Sequence, residues 1–146
     1  MEKLEFKIAI AADKHKVWDT MLQPNTYKEW VAGGWPDSFY KGQWAENEKI
    51  SFISADGSGT LAHIESIIPY QYICAKHIAI LNEGGVVDTE SELAKNWIGT
   101  TESYTLNENH GDTELIIHIA TDEEWKKMFN DGWPGALQKL KQICES

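Results

Sequence analysis

The chain is predicted to be an α+β domain in which an antiparallel sheet closes around one long C-terminal helix. Two observations predict it. From Asp122 to Cys144, the residues Trp125, Met128, Phe129, Trp133, Ala136, Leu137, Leu140, Ile143 and Cys144 recur at the spacing of one helix face. Almost everything before that stretch reads as short runs of alternating apolar and polar residues, the period-two pattern of half-buried strands. Strands in succession, rather than strand and helix by turns, favour an antiparallel sheet.

The first strand is set by Leu4, Phe6, Ile8 and Ile10 alternating with Glu5, Lys7 and Ala9. Asp13 then reads as an N-cap, and Val17, Trp18, Met21 and Leu22 form a helical face that ends before Pro24. Tyr27 to Asp37 reads as a loop broken by Gly33-Gly34 and Pro36 and anchored by Trp30 and Trp35. Strands are expected over Ser38–Trp44, with Gly42 as a bulge, and over Lys49–Ser54. Asp56-Gly57-Ser58-Gly59 is a hairpin turn of residues that tolerate positive φ. Further strands follow over Thr60–Ile68, over Tyr70–Leu81 as the central one, over Trp97–Leu106 and over Thr113–Ala120. In the last of these, Leu115, Ile117 and Ile119 face one way, and Ile116 and His118 the other. Asn82–Asn96 reads as a long hairpin loop and Asn107–Asp112 as a turn.

The terminal helix carries Asp122, Glu123 and Glu124 at its start and Lys139 and Lys141 near its end, the order the helix dipole favours. Thr121 is the expected N-cap, with Glu124 completing a capping box. Gly132-Trp133-Pro134 interrupts the pattern, since proline inside a helix costs roughly 3 kcal/mol. The segment is either kinked there or two helices with Pro134 in the first turn of the second.

The length of 146 residues suits one domain spanning 1–146 with a single core. No apolar run approaches the roughly 20 residues of a membrane helix. The start, MEKLEFKIAI, lacks the plan of a signal peptide, so a cytoplasmic protein is expected. Cys74 and Cys144 have no paired spacing and read as free thiols. With 13 basic against 23 acidic residues and a formal charge of −10, nucleic acid and anionic membranes are argued against as partners. Seven tryptophans suit either a thick core or the wall of an apolar cavity.

Particular stretches carry a family resemblance. SFYKGQWAENEKISFI at Ser38–Ile53, GTLAHIESIIPYQYICAKHI at Gly59–Ile78 and NWIGTTESYTLNE at Asn96–Glu108 resemble strands of the START-like, SRPBCC superfamily. So do GDTELIIHI and the following MFNDGWPGALQKLKQI. Together they look like its AHSA-type branch, named for the activator of the heat-shock chaperone ATPase. The resemblance covers nearly the whole chain and is specific for fold, much less so for function, because that superfamily spans carriers, receptors, cyclases and co-chaperones. It implies a helix-grip fold: about seven curved antiparallel strands around the C-terminal helix, with short helices near Asp13–Leu22 and Tyr27–Val31. It also implies a cavity between sheet and helix, for a lipid or another small hydrophobic or aromatic molecule. The chain lacks the extra amino-terminal domain of the eukaryotic co-chaperone, which weighs against a co-chaperone role.

No motif for hydrolase, metalloprotease, nucleotide or disulfide chemistry is present, and no catalytic residue, metal or cofactor is assigned. His63, His77 and His118, with Glu65, could in principle supply a zinc set, but nothing in their spacing brings them together. The candidate ligand-binding residues are Trp30, Trp35, Trp44, Phe52, His63, Tyr72, His77, Trp97, Tyr104, Phe129 and Trp133, with Glu102 as a further polar group. The same aromatics could instead fill the interior themselves. Trp133 is expected to be a cavity wall more than a core residue. Three functions remain open: a small-molecule binder, a cyclase-, aromatase- or hydrolase-like enzyme needing His77, Tyr104 or Glu102 within reach of one another, and a co-chaperone-like module with a heat-shock chaperone as partner. Monomer and homodimer are both compatible with the sequence.

Overall fold

The computed structural model describes residues 1–146. Eight antiparallel strands form one sheet: β1 (Glu2–Ile10), β2 (Phe39–Gly42), β3 (Lys49–Ile53), β4 (Gly59–Ile68), β5 (Tyr72–Asn82), β6 (Val86–Asp88), β7 (Thr101–Asn109) and β8 (Asp112–Thr121). Their spatial order is β1-β8-β7-β5-β4-β3-β2, and β6 pairs with the far end of β5. Helices α1 (Lys14–Leu22) and α2 (Pro24–Val31) follow β1, α3 (Glu92–Trp97) precedes β7, and α4 (Glu123–Glu145) closes the chain. This is the expected α+β, helix-grip arrangement, with one strand more than expected. No helix is long and apolar enough to cross a membrane.

Period-two alternation decides which face of the sheet meets α4. Leu115, Ile117 and Ile119 of β8 are buried inward, while His118 lies outside and meets Glu5 at 2.8 Å. Asp13 caps α1 as expected, its carboxylate accepting from the Lys16 N–H. Phe129, Trp133, Ala136, Leu137, Leu140 and Cys144 of α4 join a core with Ile10, Ile73, Leu106 and the inward residues of β8.

Several local expectations are corrected. Thr121 is the buried last residue of β8, and the N-cap of α4 is Asp122, whose carboxylate accepts from the Glu124 N–H. Asp122 supplies an equally good acceptor one residue nearer the helix. Helix α2 begins at Pro24, where a residue without N–H starts a helix at no penalty, so Tyr27–Val31 is helical, as the family resemblance implies, and not part of the loop that the later breakers suggest. The stretch from Asn82 to Asn96 is not one loop: it holds β6 and most of α3. Ser91 caps α3 by accepting from the Ala94 N–H, and Trp97 ends that helix instead of opening a strand.

Helix α4 runs unbroken through Pro134. The glycines beside it have a further reason to be there. A Cβ on Gly34 would stand 2.2 Å from the Gly132 carbonyl oxygen, and one on Gly33 2.4 Å from that of Gly135. The chain after α2 therefore crosses α4 backbone to backbone, which only glycine permits on both sides. A Cβ on Gly132 would likewise strike the Trp35 ring at 2.3 Å.

Candidate functional site

Between α4 and the inner face of the sheet lies a cavity of about 160 Å³, lined by 16 residues of which 11 are hydrophobic. Strands β3, β4, β5 and β7 supply Phe52, Thr60, His77, Glu102 and Tyr104. Helix α2 and the turn after it supply Tyr27, Trp30 and Trp35, α3 supplies Trp97, and α4 supplies Met128, Phe129 and Trp133.

Aromatic rings form most of the wall. Trp133 meets Trp30 at 6.0 Å between centroids, Trp35 at 5.5 Å and Tyr104 at 6.0 Å. Phe129 stacks on Trp97 at 5.8 Å, and Trp97 stands 4.5 Å from the His77 ring, which in turn faces Phe52 at 5.9 Å. The placement of Trp97 depends on backbone pairing just after α3. There the His77 N–H donates to the Thr100 carbonyl and the Gly99 N–H to the His77 carbonyl.

One polar cluster interrupts this wall. His77 Nε2 is 3.0 Å from Glu102 Oε1, and the Tyr104 hydroxyl donates to Glu102 Oε2 at 2.8 Å. His77 is 1% exposed, Glu102 8% and Tyr104 6%. Burial pushes the Glu102 carboxyl up, but the charge of His77 and the hydrogen bonds from His77 and Tyr104 outweigh it and hold Glu102 below its ordinary value. Burial first, and then the Glu102 charge, hold the Tyr104 phenol well above its ordinary value, and the Tyr27 phenol is raised for the same two reasons. An ionised Glu102 only accepts, so Nε2 of His77 carries the proton between them. The other ring nitrogen, Nδ1, is buried with no partner in the protein, as are the indole N–H groups of Trp97 and Trp133.

Eight of the eleven expected site residues line the cavity: Trp30, Trp35, Phe52, His77, Trp97, Tyr104, Phe129 and Trp133. Three do not. Trp44 packs behind the wall against Tyr40 and Phe52. His63 stands across from Lys76 on the outer face, 3.4 Å from Glu65. Tyr72 also points outward, because it alternates with the buried Ile73. No three metal-ligating side chains gather anywhere in the structure. Trp133 is more enclosed than a wall residue was expected to be, at 3% exposure with Phe6 on its remaining side. Tyr27, Ser54, Thr60 and Met128 line the cavity without having been anticipated as site residues. Thr60 stands opposite Phe52 across the β3–β4 ladder, so the hairpin register could have found it.

A second, outer cleft of about 300 Å³ runs between the β3–β4 turn, the end of β5, α3 and the start of α4. It shares Thr60, Trp97 and Met128 with the inner cavity, so these three side chains stand between the two spaces.

Comparison with solved structures decides the fold. The solution structure of the Aha1 dimer from Colwellia psychrerythraea superposes with a TM-score of 0.75 at 19% identity, over 99% of this chain and 97% of that one. The chain has the START-like, helix-grip fold. The chain is also similar to protein MLL2253 from Mesorhizobium loti, with a TM-score of 0.77 at 14% identity over 97% of this chain and 96% of that one. DynU16, a protein of the dynemicin biosynthetic locus, matches over 100% of this chain and 48% of its own, with a TM-score of 0.72 at 12% identity. No family model and no curated protein matches the sequence. At these identities the likeness speaks for fold, and the site is argued on its own geometry.

Proposed function

We propose that this START-like domain binds a compact, largely apolar ring compound between its sheet and its C-terminal helix. The observation that carries the reading is the 160 Å³ cavity walled by aromatic rings. Its volume lies below the roughly 300–1,000 Å³ of pockets for drug-sized ligands. It matches the roughly 150 Å³ of an engineered apolar cavity that takes up benzene. The size therefore favours one ring over a lipid or a polycyclic molecule. A ligand that binds only the folded state raises the unfolding midpoint with its concentration. A thermal-shift series of single-ring aromatics beside long-chain fatty acids tests the reading. Single rings should stabilise the domain and fatty acids should not, and the reverse order would overturn it.

A second reading is an enzyme on the same fold, and it is favoured by the His77–Glu102–Tyr104 cluster. A carboxylate that orients one imidazole nitrogen and leaves the other unpartnered is an arrangement suited to general acid–base work. Turnover of an enolisable or phenolic single-ring compound, followed by NMR, tests it. Loss of that turnover in Glu102→Gln with binding retained would support it, and the absence of any chemical change in the ring compounds that bind would remove it.

A further inference from the structure

We infer that the cavity selects ring compounds bearing a hydroxyl group, which meets the unpartnered Nδ1 of His77. The inference rests on the small-ring binding reading above and names the polar group such a ring must carry. His77 is fixed at Nε2 by Glu102, and its Nδ1 is buried without a partner in a residue that lines the cavity. A buried polar atom left unsatisfied is expensive, and a ligand group that satisfies it recovers that loss.

The chemistry of the wall narrows the choice of group. Neutral imidazole offers a lone pair at Nδ1 and needs a donor, whereas imidazolium offers N–H and needs an acceptor. A hydroxyl does both, so it serves His77 in either protonation state. Its oxygen can in addition accept from an indole N–H, and those of Trp97 and Trp133 on the same wall have no partner. A carboxylate would place a second negative charge beside buried Glu102, in low dielectric where like charges repel strongly. An ammonium offers only N–H donors, so it would serve neutral imidazole alone and would meet imidazolium with a like charge. A bare hydrocarbon fills the space but leaves Nδ1 unsatisfied.

The test compares p-cresol, toluene and benzoate, which differ in that one group, by NMR titration of the full chain. The Nδ1 resonance of His77 is followed in a long-range 15N correlation spectrum. p-Cresol should bind roughly fivefold or more tighter than toluene, the fold-change of about one net hydrogen bond, and should move the Nδ1 resonance where toluene does not. His77→Gln keeps an amide N–H for Glu102 and removes Nδ1, and it should bring the two affinities together. If that variant does not fold, the Nδ1 shift in the native protein decides alone. Equal binding of p-cresol and toluene, with Nδ1 unmoved, would overturn the hydroxyl inference and leave ring binding standing. Tighter binding of benzoate would overturn it in favour of an anion site. Failure of all three to bind at millimolar concentration would overturn both this inference and the ring-binding reading.

Discussion

His77 Nε2 and Glu102 Oε1 stand 3.0 Å apart on neighbouring strands, β5 and β7, with both side chains almost wholly out of water. Removing one member leaves the other's polar group buried and unpaired. His77→Phe is therefore expected to cost about 3–5 kcal/mol, the range seen when one partner of a buried pair is deleted. The double variant His77→Phe/Glu102→Leu should be more stable than that single variant, because no unpaired charge remains. Urea denaturation of these two variants, of Glu102→Leu and of the native protein checks this, and additive losses would show that the two groups do not depend on each other.

Acid should weaken the fold partly through the same pair. Glu102 is held below its ordinary value of 4.5, so the unfolded chain takes up its proton first as pH falls. The contribution is fully present above pH 4.5 and is lost as pH falls through the lower folded value. Asp88, held at about 2 chiefly by the hydrogen bond from the Ser91 hydroxyl, contributes acid sensitivity of its own, which Glu102→Gln leaves in place. Unfolding free energy measured from pH 7 to pH 3 should fall less steeply below pH 4.5 in Glu102→Gln than in the native protein.

Trp133 is both wall and core. Phe6, Trp30, Trp35 and Tyr104 surround its ring, so Trp133→Ala should cost about 3–5 kcal/mol, the value of a large aromatic truncation. A loss below 2 kcal/mol in chemical denaturation would mean that the ring mostly faces open space.

The glycine crossing of α4 predicts another loss. Gly34→Ala forces a methyl group onto the Gly132 carbonyl, a backbone atom that cannot swing aside. Overpacking of this kind costs roughly 1–3 kcal/mol. Retention of full stability in a thermal melt would show that the crossing is loose.

How much of this was legible follows from how local each signal is. Strand alternation and the α4 stripe are properties of neighbouring residues, so β1, β8 and α4 could be read directly. The α3 segment could not: Trp97 looks like a strand aromatic until Ser91 is seen to cap a helix that ends at it. The outward direction of His63 and Tyr72 depends on strand register and on the β4–β5 irregularities, which residue type does not reveal. The Gly132–Pro134 stretch reads as a helix breaker, while its partner glycines lie about a hundred residues earlier in the chain. Glu102, a single carboxylate in an ordinary strand pattern, gains its meaning only when β5 brings His77 alongside.

The central claim is that a single ring enters the cavity between sheet and α4. The indole N–H resonances test it most directly, because each of the seven tryptophans gives its own 1H–15N signal. On titration with toluene, the indoles of Trp97 and Trp133, which line the cavity, should shift and saturate together, while those of Trp18 and Trp44, which do not, should stay in place. No movement of any indole at saturating toluene, or equal movement of Trp18 and Trp44, would contradict it.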